Sequence, residues 1–411
     1  MFLKSPSAIL RNLITTKSPK AILKLPAVAN EEKNLIRFQR FFINAMETED
    51  IVKNITKISS RLDLLNLINS IMKEDFADKE YSFSYNQFRH FCNPNKYNNR
   101  FINFEIPKKS GGIRVISAPN EQLKTVLHYL NIILKAMYHP SGYVFGFVQG
   151  KSVKDNAFIH INKNYVFNID LQDFFPSIKQ ARVWKRLQLP PFNFNKDVAW
   201  CIAGLCCMKV INTNENKEQE CLYVLPQGAP TSPIITNMIC DNLDRRLNGL
   251  AKRFRLSYSR YADDITFSSN HNVFQDNSDF RIEFTRIITE QGFVINDKKT
   301  RLQKKGSRQE VTGLVVSSKV NVTKKYIREI RSLLYMWERY GYDDAVKQFN
   351  IHYEQEKGYI KRYVPKLELF LEGKLNYLKM IKGDNDSVYM SFASRLERLL
   401  TGLEEKAISS K

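Results

Sequence analysis

Two adjacent aspartates, Asp263 and Asp264, stand in the stretch "RYADDITFSSN" (residues 260–270), between a tyrosine and a short run of alternating apolar residues. Two carboxylates in contact repel each other, and one of them tends to bind a proton unless a cation lies between them. Aspartate is also a common residue of solvated turns. The pair therefore has two interpretations, a hydrated hairpin turn or one half of a metal site.

A third carboxylate favours the metal site. Asp170 follows the apolar, strand-like segment "YVFNI", and a mixed sheet can bring the end of that strand to the aspartate pair. Nucleotidyl transfer uses two Mg²⁺ ions about 3.5–4 Å apart, one on the attacking hydroxyl and one on the triphosphate. Mg²⁺ prefers hard oxygen ligands on rigid elements. The three carboxylates are compatible with such a site, although by themselves they leave the turn interpretation open.

A basic hairpin precedes these carboxylates. The segment "FEIPKKSGGIRVISAP" (104–119) predicts a strand, a Gly-Gly turn and a second strand. Its tip carries Lys108 and Lys109, and Arg114 follows in the second strand. Such a tip is ordinarily a solvated turn, but three cations together can also clamp a triphosphate.

Apolar spacing indicates helices toward both ends of the chain. Within residues 31–75, Leu64, Leu67, Ile68 and Ile71 recur at intervals of three and four. After residue 320 the same pattern puts one set of side chains on a single helical face: Ile327, Ile330, Leu333, Leu334 and Trp337. Lysines and arginines lie among them. We therefore predict a domain boundary near residue 320, followed by a basic all-helical unit.

The composition points to a polyanionic partner. The 411 residues include 63 Lys and Arg against 42 Asp and Glu, a net charge of +21. Basic side chains release counterions from phosphates, so nucleic acid is the favoured partner and an anionic membrane is the rival. The sequence has no apolar run of the roughly 18 residues that a membrane span needs. The basic first thirty residues fit a transit peptide or a nucleic-acid-binding arm, and we favour the arm.

The six cysteines form no CxxC pair, and no secretory signal precedes them. Their spacing between residues 201 and 221 does not fit the usual zinc motifs. We therefore expect reduced, mostly buried thiols in a cytoplasmic protein.

Seven blocks in order settle the choice between turn and metal site. The chain carries "IPKKSGGIRVISAP", "GFVQGKSVKDNAFIH", "NIDLQDFFPSI", "LPQGAPTSP", "RYADD", "GFVINDKKT" and "VTGLVV". This series resembles the reverse transcriptase family over roughly residues 75–320. Two blocks are similar to the signatures of retron reverse transcriptases, NAxxH in "NAFIH" and the triplet "VTG".

The resemblance implies an α+β, right-hand polymerase fold. Its fingers and palm would occupy residues 75–320, with the YADD hairpin in an antiparallel palm sheet, and its all-helical basic thumb residues 321–411. Residues 1–74 would form a basic, mostly helical N-terminal extension, on which the resemblance says nothing.

Roles for individual residues follow from the resemblance, motif by motif. Asp170 and Asp263 match the main metal ligands and Asp264 a third, peripheral one, with two Mg²⁺ ions as the implied cofactor. Asp173 is interpreted mainly as a turn residue. The remaining nucleotide-binding positions are Lys109 and Arg114 for the triphosphate, Phe175 under the sugar, Gln227 and Gly228 against the nascent base pair, and Lys299, or its neighbour Lys298, for the leaving pyrophosphate. The implied RNA-binding set is Asn156, His160, Val311, Thr312 and Gly313.

The implied function is RNA-directed DNA synthesis in a retron. The enzyme would copy part of its cognate structured non-coding RNA from an internal guanosine 2′-hydroxyl, making a branched RNA–DNA hybrid (msDNA) that serves in antiphage defence. Deoxynucleotides, an effector or toxin protein and a host ribonuclease H would be further partners, with no membrane involved. The alternatives are an abortive-infection-type polymerase that makes untemplated DNA, and an RNA-binding scaffold for an effector. NAxxH together with VTG argues against the first, and three intact carboxylates argue against the second.

Overall fold

The computed structural model describes residues 50–75, 82–95, 99–107, 111–213, 219–357 and 364–409. Residues 50–55 are helical. The helices that follow are α1 Arg61–Asp75, α2 Tyr85–Phe91, α3 Glu121–Met137, α4 Val153–Phe158, α5 Gln180–Leu187, α6 Lys196–Cys206, α7 Ser232–Arg253, α8 Asp279–Glu290, α9 Lys324–Tyr340, α10 Tyr342–Lys357, α11 Leu367–Lys382 and α12 Ser387–Ser409. The strands are β1 Phe101–Pro107, β2 Ile113–Pro119, β3 Tyr165–Asp170, β4 Met208–Thr213, β5 Gln219–Val224, β6 Ser257–Tyr261, β7 Asp264–Ser269, β8 Arg301–Lys304, β9 Glu310–Val311, β10 Leu314–Val316 and β11 Val320–Asn321.

A four-stranded antiparallel sheet in the order β6-β7-β3-β8 lies at the centre of the molecule. Side chains alternate between the faces of a strand. On one face Phe167 lies opposite Phe267, and both rings pack against Phe280 and Phe284 of α8. The other face is more polar, because β3 and β7 place Asn168 opposite Thr266 and Asp170 opposite Asp264 there. The period of two thus separates the hydrophobic core from the carboxylates.

The predicted basic hairpin is present as β1 and β2, which pair from Phe101–Pro119 to Pro107–Ile113. A second hairpin joins β4 and β5. Residues 108–110, and with them Lys108 and Lys109, lie outside the described residues. Arg114, in β2, is exposed.

The main hydrophobic core includes the helix α1. Leu64, Leu65, Ile68 and Met72 are buried in it, and α1 contacts α3 and α6. The helical prediction for this stretch is confirmed, but α1 is packed into the same core as the central sheet, so residues 61–75 are not a separate extension. The basic arm predicted for the first thirty residues lies outside the described part of the chain.

A second core begins before residue 320. Val311, Leu314 and Val316 of the small sheet β9–β11 are buried together with apolar residues of α9 to α12. The predicted apolar face of α9 is confirmed, with Ile330, Leu333, Leu334 and Trp337 buried and Ile327 half-buried. The helical unit therefore shares one core with the small sheet β9–β11, whose β9–β10 turn contains Thr312 and Gly313.

The cysteines are free thiols, with five of them buried and Cys221 exposed. None of the helices in the described ranges is both long and apolar enough to cross a membrane.

Candidate active site

The three predicted metal ligands come from two neighbouring strands and the turn between β6 and β7. Asp170 ends β3 and is the register partner of Asp264, the first residue of β7. Asp263 precedes it in the turn, and its carbonyl accepts a hydrogen bond from the Leu171 backbone N–H at 3.2 Å. The pairing of β3 with β7 thus brings together residues that are far apart in sequence.

The carboxylates of this cluster repel one another, and this repulsion perturbs their protonation. Shielding from water, together with the charges of Asp263 and Asp170, raises the pKa of Asp264 to about 7. The pKa of Asp263 is also raised, mainly because it is shielded from water and then by the charge of Asp170, while Lys299 and Arg114 oppose the shift. Such perturbed carboxylates are typical of functional sites. Their oxygen donors are the ligands that Mg²⁺ and Ca²⁺ prefer.

Lys299 contacts the first of these carboxylates directly. Its ammonium donates to Asp170 Oδ1 at 3.0 Å and Oδ2 at 2.9 Å, and Asn296 Nδ2 donates to Oδ1 at 3.0 Å. In the described ranges, no group of three or more His, Cys, Asp and Glu side chains is gathered so that it could hold a metal ion. The carboxylate oxygens are nevertheless the donors that a divalent cation prefers. The ion pair with Lys299 must open before Asp170 can bind such a cation. Of the two candidate lysines, Lys299 is the one that contacts the site.

Besides Lys299, the described residues that are predicted to surround the nucleotide lie in the turn after β3, in the LPQG turn and in β2. Phe175 is half-buried in the turn after β3, and its ring centroid lies 6.2 Å from that of Phe147. Gln227 accepts a hydrogen bond at its carbonyl from the Ser117 N–H at 2.8 Å, which joins the LPQG turn to the β1–β2 hairpin. A Cβ at Gly228 would lie 2.8 Å from the Ser117 carbonyl oxygen, so only glycine fits this approach. Asp173 is exposed, with a left-handed φ of 45°.

The NAxxH and VTG segments meet in space. Asn156 Nδ2 lies 3.4 Å from Thr312 Oγ1, and the Thr312 hydroxyl lies 3.4 Å from the Val153 carbonyl. Thr312 (φ 48°) and Gly313 (φ 78°) form a left-handed turn, with Thr312 half-buried and Gly313 exposed. This turn lies beside α4 and leads into the second core.

Three members of the predicted RNA-binding set are buried. Asn156, His160 and Val311 are at most 1% exposed. His160 bridges two strands, with Nδ1 2.7 Å from Ser268 Oγ and Nε2 2.8 Å from Ser259 Oγ. Burial lowers the pKa of His160 to about 3, so the ring is neutral at physiological pH. The prediction of direct RNA contact is corrected for these three side chains, because each is enclosed by protein. Thr312 and Gly313 keep accessible atoms.

Sequence reasoning missed three features next to the aspartates. Gly146 is pressed against the Tyr261–Ala262 backbone, where a Cβ would collide with the Ala262 nitrogen. Asn296 holds Asp170, and a buried Arg260 lies under the turn. The signals were present: a glycine in the "GFVQG" block, an asparagine in "GFVIND" and an arginine next to YADD.

Comparison with known proteins agrees with the geometry. Residues 106–322 match the family model described as reverse transcriptase (RNA-dependent DNA polymerase). The chain is 33% identical over 287 residues to the Retron Mx65 reverse transcriptase of Myxococcus xanthus, covering 67% of this chain and 65% of that protein. It is 35% identical over 227 residues to the Retron Ec86 reverse transcriptase of Escherichia coli, covering 54% of this chain and 65% of that protein. It is 33% identical over 240 residues to the Retron Ec73 reverse transcriptase of Escherichia coli, covering 54% of this chain and 70% of that protein.

These matches span just under two thirds of the Mx65 and Ec86 proteins. Among solved structures, telomerase from Candida albicans in complex with a TWJ fragment of telomeric RNA has a TM-score of 0.40 at 11% identity, covering 82% of this chain and 68% of that one. Telomerase from Candida tropicalis, truncated from its C-terminal domain, has a TM-score of 0.37 at 13% identity, covering 55% of each chain.

Proposed function

The chain belongs to the reverse transcriptase family and is of its retron type, and from this premise we propose that it is the RNA-directed DNA polymerase of a retron. The observation that carries the proposal is the placement of Asp170 opposite Asp264 on the polar face of the sheet, with Asp263 in the adjoining turn. The raised pKa values of Asp263 and Asp264 support it, since carboxylates in this state gain from a bound cation.

In the proposed mechanism, Asp170 and Asp263 would hold the divalent metals, with Asp264, the first residue of β7, as a more peripheral ligand. Two Mg²⁺ ions, when bound, would activate the primer hydroxyl and neutralise charge on the triphosphate. Lys299, which contacts Asp170, would donate a proton to the departing pyrophosphate. Arg114, whose positive charge opposes the pKa rise of Asp263, binds the triphosphate together with Lys109.

Phe175 selects the sugar in this scheme. Its ring would lie under the incoming nucleotide and leave no space for a 2′-hydroxyl, so ribonucleotides are excluded by a clash. The neighbouring rings of Phe174 and Phe147, at centroid distances of 5.6 Å and 6.2 Å, limit how far Phe175 can withdraw. Gln227 and Gly228 support the nascent base pair from the LPQG turn.

The choice of RNA would distinguish a retron enzyme from other reverse transcriptases. We propose that synthesis starts from an internal guanosine 2′-hydroxyl of a cognate structured RNA and yields a branched RNA–DNA hybrid, which acts with an effector protein in antiphage defence. A host ribonuclease H would remove the copied template. Structured RNA is recognised mainly by its shape and its backbone. The exposed Gly313 and the Thr312 hydroxyl, in the turn beside α4, are the groups that we assign to this recognition.

The test is to purify the protein and sequence the nucleic acid that accompanies it. A defined RNA joined to DNA through a 2′–5′ branch is the expected result, and debranching should release a DNA of unique sequence. DNA of random sequence would instead indicate untemplated synthesis and contradict the proposal.

A further inference from the structure

We propose that Arg260, buried beneath the YADD turn, is a positioning residue that sets the orientation of the peptide leading into Asp263. This inference rests on the proposed polymerase function, since it concerns how the metal-binding turn is held. It assigns a task to a charged side chain that touches neither metal nor substrate.

Arg260 forms a fully buried ion pair with a helix behind the sheet. Its side chain is 0% exposed and that of Asp244, in α7, is 1% exposed. Nε and Nη2 donate to the two carboxylate oxygens of Asp244, each at 2.7 Å, and the Tyr258 hydroxyl donates to Oδ1 at 2.7 Å. A buried ion pair is weak evidence for stability, because desolvation offsets much of the attraction. We therefore look for the role of this ion pair in how it orients the guanidinium toward neighbouring groups.

The third nitrogen of the guanidinium, Nη1, faces the turn that contains Asp263. Nη1 donates to the Ala262 carbonyl at 3.0 Å, and Ala262 has a left-handed φ of 58°. That carbonyl belongs to the peptide whose N–H is on Asp263. One peptide plane thus has a buried cation at its oxygen end and a predicted metal ligand at its nitrogen end.

A second contact holds the preceding peptide of the turn, Tyr261–Ala262. Asn237 of α7 accepts from Arg260 Nη2 at 3.1 Å and donates to the Gly146 carbonyl at 3.0 Å. Gly146 in turn is pressed against the Ala262 nitrogen, where no side chain fits. The turn is therefore held by a hydrogen bond on one side and by backbone contact on the other, and Asn237 links the two.

Lysine cannot replace Arg260 in this arrangement. The guanidinium presents five donors in a rigid plane, whereas an ammonium is a point charge on a flexible stem. A lysine could pair with Asp244, but it could not reach Asn237 and the Ala262 carbonyl at the same time. Arg260→Lys therefore keeps the charge and removes the proposed constraint.

The experiment compares Arg260→Lys with Arg186→Lys. Arg186 also donates to two backbone carbonyls, those of Met238 at 2.9 Å and Pro190 at 2.7 Å, but away from the turn. We expect both variants to bind RNA like wild type. For Arg260→Lys, kcat of primer extension should fall by between about tenfold and a hundredfold, as for a misplaced catalytic group, with little change in the KM for deoxynucleotide. Mn²⁺ binding, followed by electron paramagnetic resonance, should weaken several-fold.

Equal kcat and equal Mn²⁺ affinity in the two lysine variants would overturn the proposal. If Arg260→Lys does not fold, a variant combining Arg260→Met, Asp244→Leu and Tyr258→Phe removes the charges together with their partners. That protein should fold and still lose Mn²⁺ affinity and kcat; unchanged values, or failure of this variant to fold, would make the network a stability element and equally contradict the proposal. The Mn²⁺ measurement needs no polymerase activity, so an inactive wild type would count against the proposed function alone.

Discussion

The Lys299 ammonium lies 2.9 Å from Oδ2 and 3.0 Å from Oδ1 of Asp170, so the carboxylate that is expected to bind metal is neutralised by a cation of the protein itself. The Lys299 side chain is 54% exposed and that of Asp170 only 11%. The lysine therefore has room to swing into solvent or toward a ligand, whereas the Asp170 side chain is nearly enclosed and also accepts a hydrogen bond from Asn296. This asymmetry makes Lys299 the mobile member of the pair.

Replacing Lys299 with Met should change metal affinity and the rate of DNA synthesis in opposite directions. Without the competing ammonium, Mn²⁺ should bind more tightly, because the attraction between unlike charges no longer has to be broken. DNA synthesis should nevertheless slow by at least about a hundredfold, the range typical of a lost general acid. Metal titrations measure the Mn²⁺ affinity, and single-nucleotide incorporation measures the rate of DNA synthesis. Lys298→Met is the matched comparison, and a loss of the same size there would contradict the assignment of Lys299.

Asp263→Asn together with Asp264→Asn should abolish DNA synthesis and leave RNA binding intact, because phosphate contacts of the basic surface do not need the metals. The same variant should melt at a higher temperature than wild type in a chelator. The native state raises the pKa values of both groups, so their ionised forms destabilise it at neutral pH and neutral amides remove that cost. Synthesis above a few per cent of wild type would contradict the metal-site assignment.

Phe175→Val should admit ribonucleotides with only a modest loss of deoxynucleotide incorporation. A smaller side chain opens the space in which a 2′-hydroxyl would lie. The quantity to compare is the ratio of kcat/KM for the two sugars, with Phe175→Tyr as the variant that keeps a ring. An unchanged ratio in Phe175→Val would mean that this phenylalanine only fills space between Phe147 and Phe174.

Thr312→Ala with Gly313→Ala should impair priming on the cognate RNA far more than extension of a generic annealed primer. Gly313 has a φ of 78°, and no atom lies within 4 Å of the position that a Cβ would take, so alanine there brings backbone strain but no collision. Gly306→Ala is the matched control, because Gly306 has a φ of 98° and equally open surroundings. Equal losses on both substrates would indicate damage to the fold.

His160 should make stability depend on pH. Burial lowers the pKa of His160 in the folded protein to about 3 from the ordinary value of 6.5. Between these two values the unfolded chain binds a proton at His160 and the folded protein does not. The free energy of unfolding that the neutral, buried ring contributes is fully present above pH 6.5. It is lost as the pH falls below 6.5, and the loss reaches about 2 kcal/mol at pH 5. Urea unfolding of wild type and His160→Gln at pH 7 and pH 5 measures it. A similar pH-dependent loss in both proteins would exclude His160 as the source.

The sequence by itself determined the chemistry and the periodic elements. Alternation along "YVFNID" and "DITFSS" predicts strands with one apolar face, and this places Asp170 and Asp264 on the other face once the strands pair. The apolar spacing after residue 320 likewise predicts helix α9 and its buried face. These features are local, so the order of residues is enough to reveal them.

The tertiary structure decided which polar residues are buried and by what. Nothing in "NAFIH" indicates that His160 lies between Ser259 and Ser268, and nothing in "RYADD" indicates that Arg260 faces Asp244. A polar side chain can be buried only where partners satisfy it, and those partners come from other elements. Periodicity reports which face of an element is apolar, not which element covers it. The choice between Lys298 and Lys299, and the packing of α1 into the main core, depended on the same long-range contacts.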